Sequence, residues 1–285
     1  MKTIGLAVNR DKPGALNLAK ELIRLAEEKG IKCFVEPFVG EYAGRTDLAI
    51  PLSIYHQKVD VVFVLGGDGT LLGVARELCM HNIPILGINL GNLGFLSEAE
   101  PENLPLAIDR ILNGKYNLEK RMMIHAVLIR KGKKIEQYHA LNDICIAKGT
   151  FSRIIECATY VGDMYVTTYN GDGIIISTPT GSTAYSLSAG GPIAMPSMHM
   201  LILTPIAPHS LSARPMVLSV EQEVRVVLGA THEDMGLTID GQIGTKLNIG
   251  DEIILKRSPY VTSLIKWNES SFFEVVRKKL MGDSS

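Results

Sequence analysis

The run Gly66-Gly67-Asp68-Gly69-Thr70 holds the residue types best suited to chemistry in this 285-residue chain. The apolar segment Val61-Val62-Phe63-Val64-Leu65 leads into it, and Leu71-Leu72 opens a helical pattern. Three glycines within four positions allow unusual backbone angles and let a ligand approach the main chain closely. A strand-to-helix turn also aims backbone N–H groups and the positive end of the helix outward, which suits phosphate. Asp68 is out of place beside phosphate unless it holds a metal ion or takes a proton from an attacking hydroxyl. Both roles belong to phosphoryl transfer. The plainer alternative is a tight turn in which Asp68 caps the following helix, and the loop alone does not decide between them. It has neither the G-x-x-x-x-G-K-[ST] nor the G-x-G-x-x-G spacing, so neither ordinary nucleotide loop accounts for it.

Two further stretches are rich in groups that bind rather than pack. Asn89-Leu90-Gly91-Asn92-Leu93-Gly94-Phe95 is a second glycine turn, which either walls the same crevice or reverses the chain. The segment Thr178 to Pro192, TPTGSTAYSLSAGGP, carries too many hydroxyls and glycines for a core. It suits a loop and helix start that offers hydrogen bonds to sugar hydroxyls and phosphates, with Tyr185 as a flat surface for a base. A solvated turn of small residues is the alternative. His209, between Pro208 and Ser210, reads as a structural histidine. His232 beside Glu233 and Asp234 resembles a metal cluster only superficially, as a hairpin tip would.

The elements that must position these residues change rhythm near Arg121. Before it, strand patterns (Thr3 to Val8, Ile31 to Glu36, Val59 to Leu65, Pro84 to Ile88) alternate with helical ones. The helices are marked by Leu16, Ala19, Leu22, Ile23 and Ala26, by Thr70 to Met80, and by Leu104, Ala107, Ile108 and Ile111. Such alternation predicts a mostly parallel sheet with right-handed crossovers and a ligand site beyond the carboxyl ends of its strands. After Arg121, short β-branched runs separated by glycine turns predict a mainly β domain: 124–130, 140–147, 154–161, 164–168, 174–177, 217–220, 224–228, 237–240 and 252–256. The expected organisation is an α/β domain over 1–121 and a mainly β domain over 122–267, with the active site in the crevice between them. A helix in 268–285, marked by Phe272, Phe273, Val276 and Leu280, is expected to pack back on the first domain.

A formal net charge of −1 argues against a bulk nucleic-acid binder, so a polyanionic substrate must be met by local groups. No apolar run reaches the roughly 18 to 20 residues that span a bilayer, and no membrane role is expected. The start, Met1 to Val8, is too short in its apolar part for a signal peptide. Cys33, Cys79, Cys145 and Cys157 are scattered, as buried thiols of a cytoplasmic protein would be.

Several blocks in one order resemble the NAD kinase family: Gly66 to Thr70, Asn142-Asp143, Thr178 to Pro192, Thr204 to Leu211 with Arg214-Pro215, and Asp240-Gly241-Gln242. The resemblance spans nearly the whole chain. It implies transfer of the terminal phosphoryl group of ATP, or of polyphosphate, to the 2′-hydroxyl of the adenosine ribose of NAD. By the same likeness Asp68 takes the proton of that hydroxyl, and Gly66, Gly67, Gly69 and Thr70 hold phosphates. Asn142 and Asp143 match the family's Asn-Glu pair on ribose hydroxyls, with aspartate one methylene shorter than the usual glutamate. Gly73, Arg153, Asn170, Asp172, Thr183, Ala184, Tyr185, Ser186, Leu187, Ser188, Ala207 and Gln242 match substrate contacts. No dedicated protein cage for a metal is expected; a divalent ion, Mg²⁺, is implied on the donor's phosphates. A homodimer or homotetramer is implied as well. Lipid kinases of the diacylglycerol or sphingosine type carry a similar glycine turn, and a non-catalytic NAD(P) sensor could use the same pocket.

Overall fold

The computed structural model describes residues 3–91, 94–150, 153–230, 232, 234–267 and 271–281. The chain divides into two compact units, one of residues 1–120 with 262–285, the other of residues 121–261.

In the first unit, strands β1 (Thr3–Val8), β2 (Lys32–Val35), β3 (Val61–Gly66) and β4 (Ile85–Asn89) lie in the order β2-β1-β3-β4, all parallel. β3 is buried along its whole length, as a central strand covered on both faces must be. Helices α1 (Ala15–Glu28) and α4 (Leu104–Leu112) bury Ala19, Leu22, Ile23, Ala107, Ile108 and Ile111 in one core with Leu6, Phe63 and Ile88. Helix α3 (Asp68–Leu78) starts directly after the phosphate-suited turn and buries Leu71, Leu72, Val74, Ala75 and Leu78. Helix α2 (Pro37–Ala43) was not anticipated: Pro37 at its first turn and Gly44 in the left-handed conformation bound only seven residues, too few to show a period.

The strand order reverses direction at β1 and β3: from β1 the chain moves outward to β2, and from β3 it moves the other way to β4. The carboxyl ends of these two strands are therefore the switch point where open α/β sheets bind ligands. Asn9 and Gly66 sit there, with the Asn9 N–H donating to Leu65 O at 2.9 Å.

The second unit is mainly β, in two sheets. One runs β12 (Met216–Ser219), β11 (Met200–Ile206), β10 (Gly173–Ser177), β7 (Asp143–Lys148), β14 (Met235–Ile239), β15 (Ile243–Leu247), antiparallel throughout. The other contains β16 (Glu252–Lys266), β13 (Val224–Gly229), β8 (Ile155–Val161) and β9 (Met164–Gly171), with β5 (Asn117–Arg130) and β6 (Lys133–Ala140) as a hairpin beside β16. Ile144, Ile146, Ile174 and Ile176 of the first sheet share one core with Ile155, Cys157, Val226, Ile253 and Leu255 of the second.

Three expectations are corrected. The anticipated strand over 140–147 is two strands, because the chain breaks at Leu141 and Asn142, whose amides turn to a side chain instead of a ladder. β16 is longer than the five residues expected, and Leu264 near its end pairs with Ile85 of β4 in the first unit. The C-terminal helix is short, α6 (Phe272–Val276) running into a wider π-type turn over Arg277–Met281, and it belongs to the first unit. Residues 268–270 and 282–285 of the anticipated helix lie outside the described residues.

Candidate functional site

Asp68 is the first helical residue of α3, and its N-cap is Gly67, extended at φ −106° and ψ −175°. No side chain caps the helix, so the capping role open to Asp68 is not the one it takes. Its carboxylate instead accepts the N–H of Phe95 at 2.7 Å and of Leu96 at 3.2 Å, with the Ser97 hydroxyl at 3.4 Å. An ionised carboxylate has about four lone-pair sites, so acceptor capacity is left for a substrate proton. The second glycine turn thus holds Asp68, although Asn92 and Leu93 within it lie outside the described residues. A Cβ on Gly94 would stand 2.0 Å from Asp68 Oδ1, which is why only glycine fits there.

The segment that holds Asp68 is itself tied down. Glu98 and Ala99 donate their N–H groups to Gly87 O at 2.9 and 3.1 Å. The buried Glu98 carboxylate accepts Lys266 Nζ at 2.8 Å and the N–H of Trp267 at 2.8 Å. The end of β16 therefore fixes the loop that fixes Asp68. On the other side of the turn, Asn9 Nδ2 donates to Thr70 Oγ1 at 3.0 Å. Gly66 leaves space for that pair, since a Cβ there would meet Thr70 Oγ1 at 2.5 Å. Gly69 is exposed on the first turn of α3, and Gly73 lies one turn further along, half-buried. The phosphate-suited positions Gly66, Gly67, Gly69 and Thr70 are thus together with Asp68 and Gly73.

In the second unit, Asn142 immediately precedes β7 and Asp143 is its first residue. The buried Asp240 carboxylate accepts the N–H groups of Leu141, Asn142 and Asp143 at 3.2, 2.7 and 3.2 Å. From the other flank Thr178 donates its N–H to Asn142 O at 2.9 Å and its hydroxyl to Leu141 O at 2.6 Å. Gly181 packs so close to Asn142 that a Cβ would lie 2.1 Å from its carbonyl oxygen. Asp240 adopts φ +49°, which Asp tolerates better than most residues. Asn142 is half-buried, its main chain gripped from both sides.

Asp143 is 3% exposed. Burial first, and then the neighbouring charge of Asp240, pushes its carboxyl up to about 7. It faces Ser177 across β7 and β10. The Thr178-to-Asn142 bond next to them makes Asp143 and Ser177 a closely spaced, non-hydrogen-bonded pair. The Ser177 hydroxyl is buried without a hydrogen-bond partner.

The hydroxyl-rich segment splits between structure and surface. The hydroxyls of Thr178, Ser182 and Ser186 are spent internally, on Leu141 O, on Pro179 O at 2.6 Å, and on Thr204 Oγ1 at 2.9 Å. Thr183, Ala184 and Leu187 are half-buried, and Tyr185 and Ser188 are exposed. Burial raises the Tyr185 phenol, with Asp172 and Asp143 among the charges near it. Asp172, half-exposed, stands 3.6 Å from Lys148 Nζ. Asn170 and Ala207 are exposed neighbours of it: Asn170 O accepts the N–H of His209 at 2.8 Å, and Ala207 sits at φ +41°. Gln242 is exposed on the turn after Asp240, and Arg153 is exposed before β8. Arg153 O accepts His232 Nε2 at 2.7 Å, while His232 Nδ1 accepts the N–H of Asp234 at 3.2 Å. Both ring nitrogens of His232 are therefore used by the main chain. Glu233 lies outside the described residues. Among those described, no three His, Cys, Asp or Glu converge as a metal cage.

Sequence reasoning singled out the turn that ends in Gly94 and Phe95 and the Asp240-Gly241-Gln242 block, but missed Asn9, Leu96 to Glu98, and the use of the Asp240 carboxylate as a clamp. The signals were weak: an asparagine just past a switch-point strand, and an Asp-Gly pair that reads as an ordinary turn.

A glycine turn with an available carboxylate at a switch point, and a β unit presenting polar side chains from a clamped backbone, are the equipment of a phosphotransferase. Family comparison agrees in both units. Residues 4–116 match the model of the ATP-NAD kinase N-terminal domain and residues 141–267 that of the ATP-NAD kinase C-terminal domain. The chain is 42% identical over 281 residues to an NAD kinase of Heliobacterium modesticaldum, covering 98% of this chain and 99% of the relative. It is 41% identical over 280 residues to one of Syntrophotalea carbinolica, covering 98% of each. Among solved structures, yeast NADH kinase complexed with NADH superposes with a TM-score of 0.92 at 25% identity, over 100% of this chain and 89% of that one. The chain belongs to the NAD kinase family.

Proposed function

We propose that this chain transfers the terminal phosphoryl group of ATP to the 2′-hydroxyl of the adenosine ribose of NAD, giving NADP. The observation that carries the reading is the placement of Asp68: on the first turn of α3, beside Gly66 to Thr70, with its carboxylate oriented by Phe95 and Leu96. Asp68 takes the proton from the 2′-hydroxyl as that oxygen attacks phosphorus. The main-chain N–H groups of the turn carry charge on the transferred group. Asn142 and Asp143 hold ribose hydroxyls, and Tyr185 offers its ring to a base. Alignment and charge neutralisation supply most of the acceleration, and a positioned base adds roughly 10²- to 10⁴-fold.

A divalent ion such as Mg²⁺, brought in on the donor's phosphates, would supply charge neutralisation there. The donor set of the chain fits such an ion: the Asp68 carboxylate of the turn already accepts two backbone N–H groups, so the ion would be held chiefly through the donor that carries it. The exposed Arg153, Asn170, Ala207 and Gln242 and the half-exposed Asp172 are substrate contacts on the same reading, in a homodimer or homotetramer. Its four cysteines are buried free thiols, in keeping with a reducing cytoplasm. No helix of the described residues is long and apolar enough to cross a membrane.

Regiochemistry tests the proposal. Phosphorus NMR should place the new phosphate on the 2′-oxygen, and 2′-deoxy-NAD should bind without turning over. The lost contact should cost about 1–3 kcal/mol of affinity. A 3′-phosphate, or a lipid phosphorylated in place of NAD, would refute the reading.

A further inference from the structure

Asp68 takes its donors from one short stretch, the N–H groups of Phe95 and Leu96 and the hydroxyl of Ser97. Residues from much later in the chain grip that stretch at both ends. At its far end Lys266, the last residue of β16, donates from Nζ to Ser97 O at 3.3 Å and to the buried Glu98 carboxylate at 2.8 Å. At its near end Lys279 Nζ stands 4.9 Å from the centroid of the Phe95 ring. We propose that Lys279 is a positioning residue: its ammonium holds the Phe95 ring, and so keeps the Phe95 N–H on the Asp68 carboxylate in the arrangement that takes a substrate proton. The inference rests on the proposed phosphotransfer and adds a residue that acts on it through the loop.

Three observations lead there. The first is what precedes Phe95. Gly94 has no room for a side chain, because a Cβ would strike Asp68 Oδ1, and a glycine leaves the main chain free to turn. The Phe95 ring is then the nearest handle by which the approach of its own N–H can be fixed. The second is the seat of Lys279. Val276 is buried at the end of α6, and Lys279 follows within one turn of it, in the same unit as the loop. The ammonium is therefore delivered by an anchored helix. The third is the difference between the two grips. Lys266 pairs with a buried carboxylate, and breaking that pair would strand the charge of Glu98. Lys279 is exposed and Phe95 half-buried, so their contact is weak and reversible. The far end of the stretch is fixed with the fold, and the near end is left to Lys279.

Hydrogen exchange of the Phe95 amide, followed by NMR on the full chain without substrates, reads this contact directly. Lys279→Ala should raise the exchange rate about two- to fivefold, the shift in population that a cation on a partly exposed ring supports. It should lower kcat by a similar factor and leave KM for NAD and for ATP unchanged. Lys279→Arg keeps a cation on the ring and should restore both readings. Lys278→Ala removes a neighbouring exposed cation and should change neither. In a Phe95→Leu background, which has no ring to hold, Lys279→Ala should add nothing further. An exchange rate unmoved by Lys279→Ala, an equal effect of Lys278→Ala, or losses that add in the Phe95→Leu background would overturn the assignment. A raised KM for ATP at unchanged kcat would put Lys279 on the donor instead and overturn it too. If exchange responds as stated but the chain makes no NADP, the hold on Phe95 stands and the proposed phosphotransfer falls.

Discussion

The main-chain N–H of Asn142 donates to the Asp240 carboxylate at 2.7 Å, across 98 positions of sequence. One buried acid thereby sets the main chain of Asn142, the residue proposed to hold a ribose hydroxyl. Replacing Asp240 by Ala leaves three amides without their acceptor and puts alanine at a positive φ. Unfolding by urea should show a loss of at least about 2 kcal/mol, the range for stranded buried donors. Asp240→Asn, which keeps one acceptor oxygen and tolerates the backbone angle, should recover part of it. If both variants unfold at the wild-type midpoint, the clamp has no energetic weight.

Asp68→Asn should keep the fold, because the amide oxygen still accepts the N–H of Phe95, and should keep most NAD affinity. The rate constant kcat should fall at least about a hundredfold, the low end for loss of a general base. Steady-state kinetics with NAD saturating is the check, and a near wild-type kcat would remove Asp68 from the chemistry.

Gly94→Ala probes the same carboxylate without touching it. The new Cβ would overlap Asp68 Oδ1, so the carboxylate must move by about an ångström or more. Misplacement on that scale costs about a hundredfold in rate. NAD binding, measured by calorimetry, should be unchanged. A parallel loss of NAD affinity would mean that the loop serves binding and not the orientation of Asp68.

Asp143 gives a pH signature. In the folded chain it keeps its proton up to about pH 7, whereas an unfolded aspartate releases it near the ordinary value of about 4. Between those limits the native state binds more protons than the unfolded one. The stabilisation from this group is full below about pH 4 and is lost as pH rises toward 7. Asp143→Asn removes that dependence. Wild-type stability minus variant stability, from urea midpoints between pH 4.5 and 8, should therefore fall with rising pH, and a flat difference would contradict the raised carboxyl.

Asn142→Ala should raise KM for NAD with little change in kcat, since a ribose contact of about 1–3 kcal/mol acts on binding. The clamp holds the main chain and survives the truncation. Calorimetry showing unaltered NAD affinity would dissociate Asn142 from the substrate.

The sequence by itself determined the parts that act over a few residues. Val61 to Leu65 is apolar at every position because β3 is covered on both faces, and the glycines after it announce the turn. The change of rhythm at Arg121 separates α/β from β because helical and strand periods are local properties. Asn142, Asp143 and the Thr178 to Ser188 segment stood out for their residue types. Only the tertiary structure decided what those residues do with their hydrogen bonds. Asp68 looked equally able to cap its helix; the loop that claims its carboxylate lies 27 to 29 positions away. Leu141 and Asn142 read as strand interior, yet a carboxylate from the turn after β14 takes their amides and ends the ladder. Ser177 faces Asp143 through the register of β7 and β10 alone. β16 looked like a short strand of the β unit, and its far end instead pairs with β4 and ties down the loop holding Asp68. Each of these depends on which distant strands meet and in what register. Burial and cross-chain hydrogen bonding settle that over the whole fold, and no window of local sequence contains it.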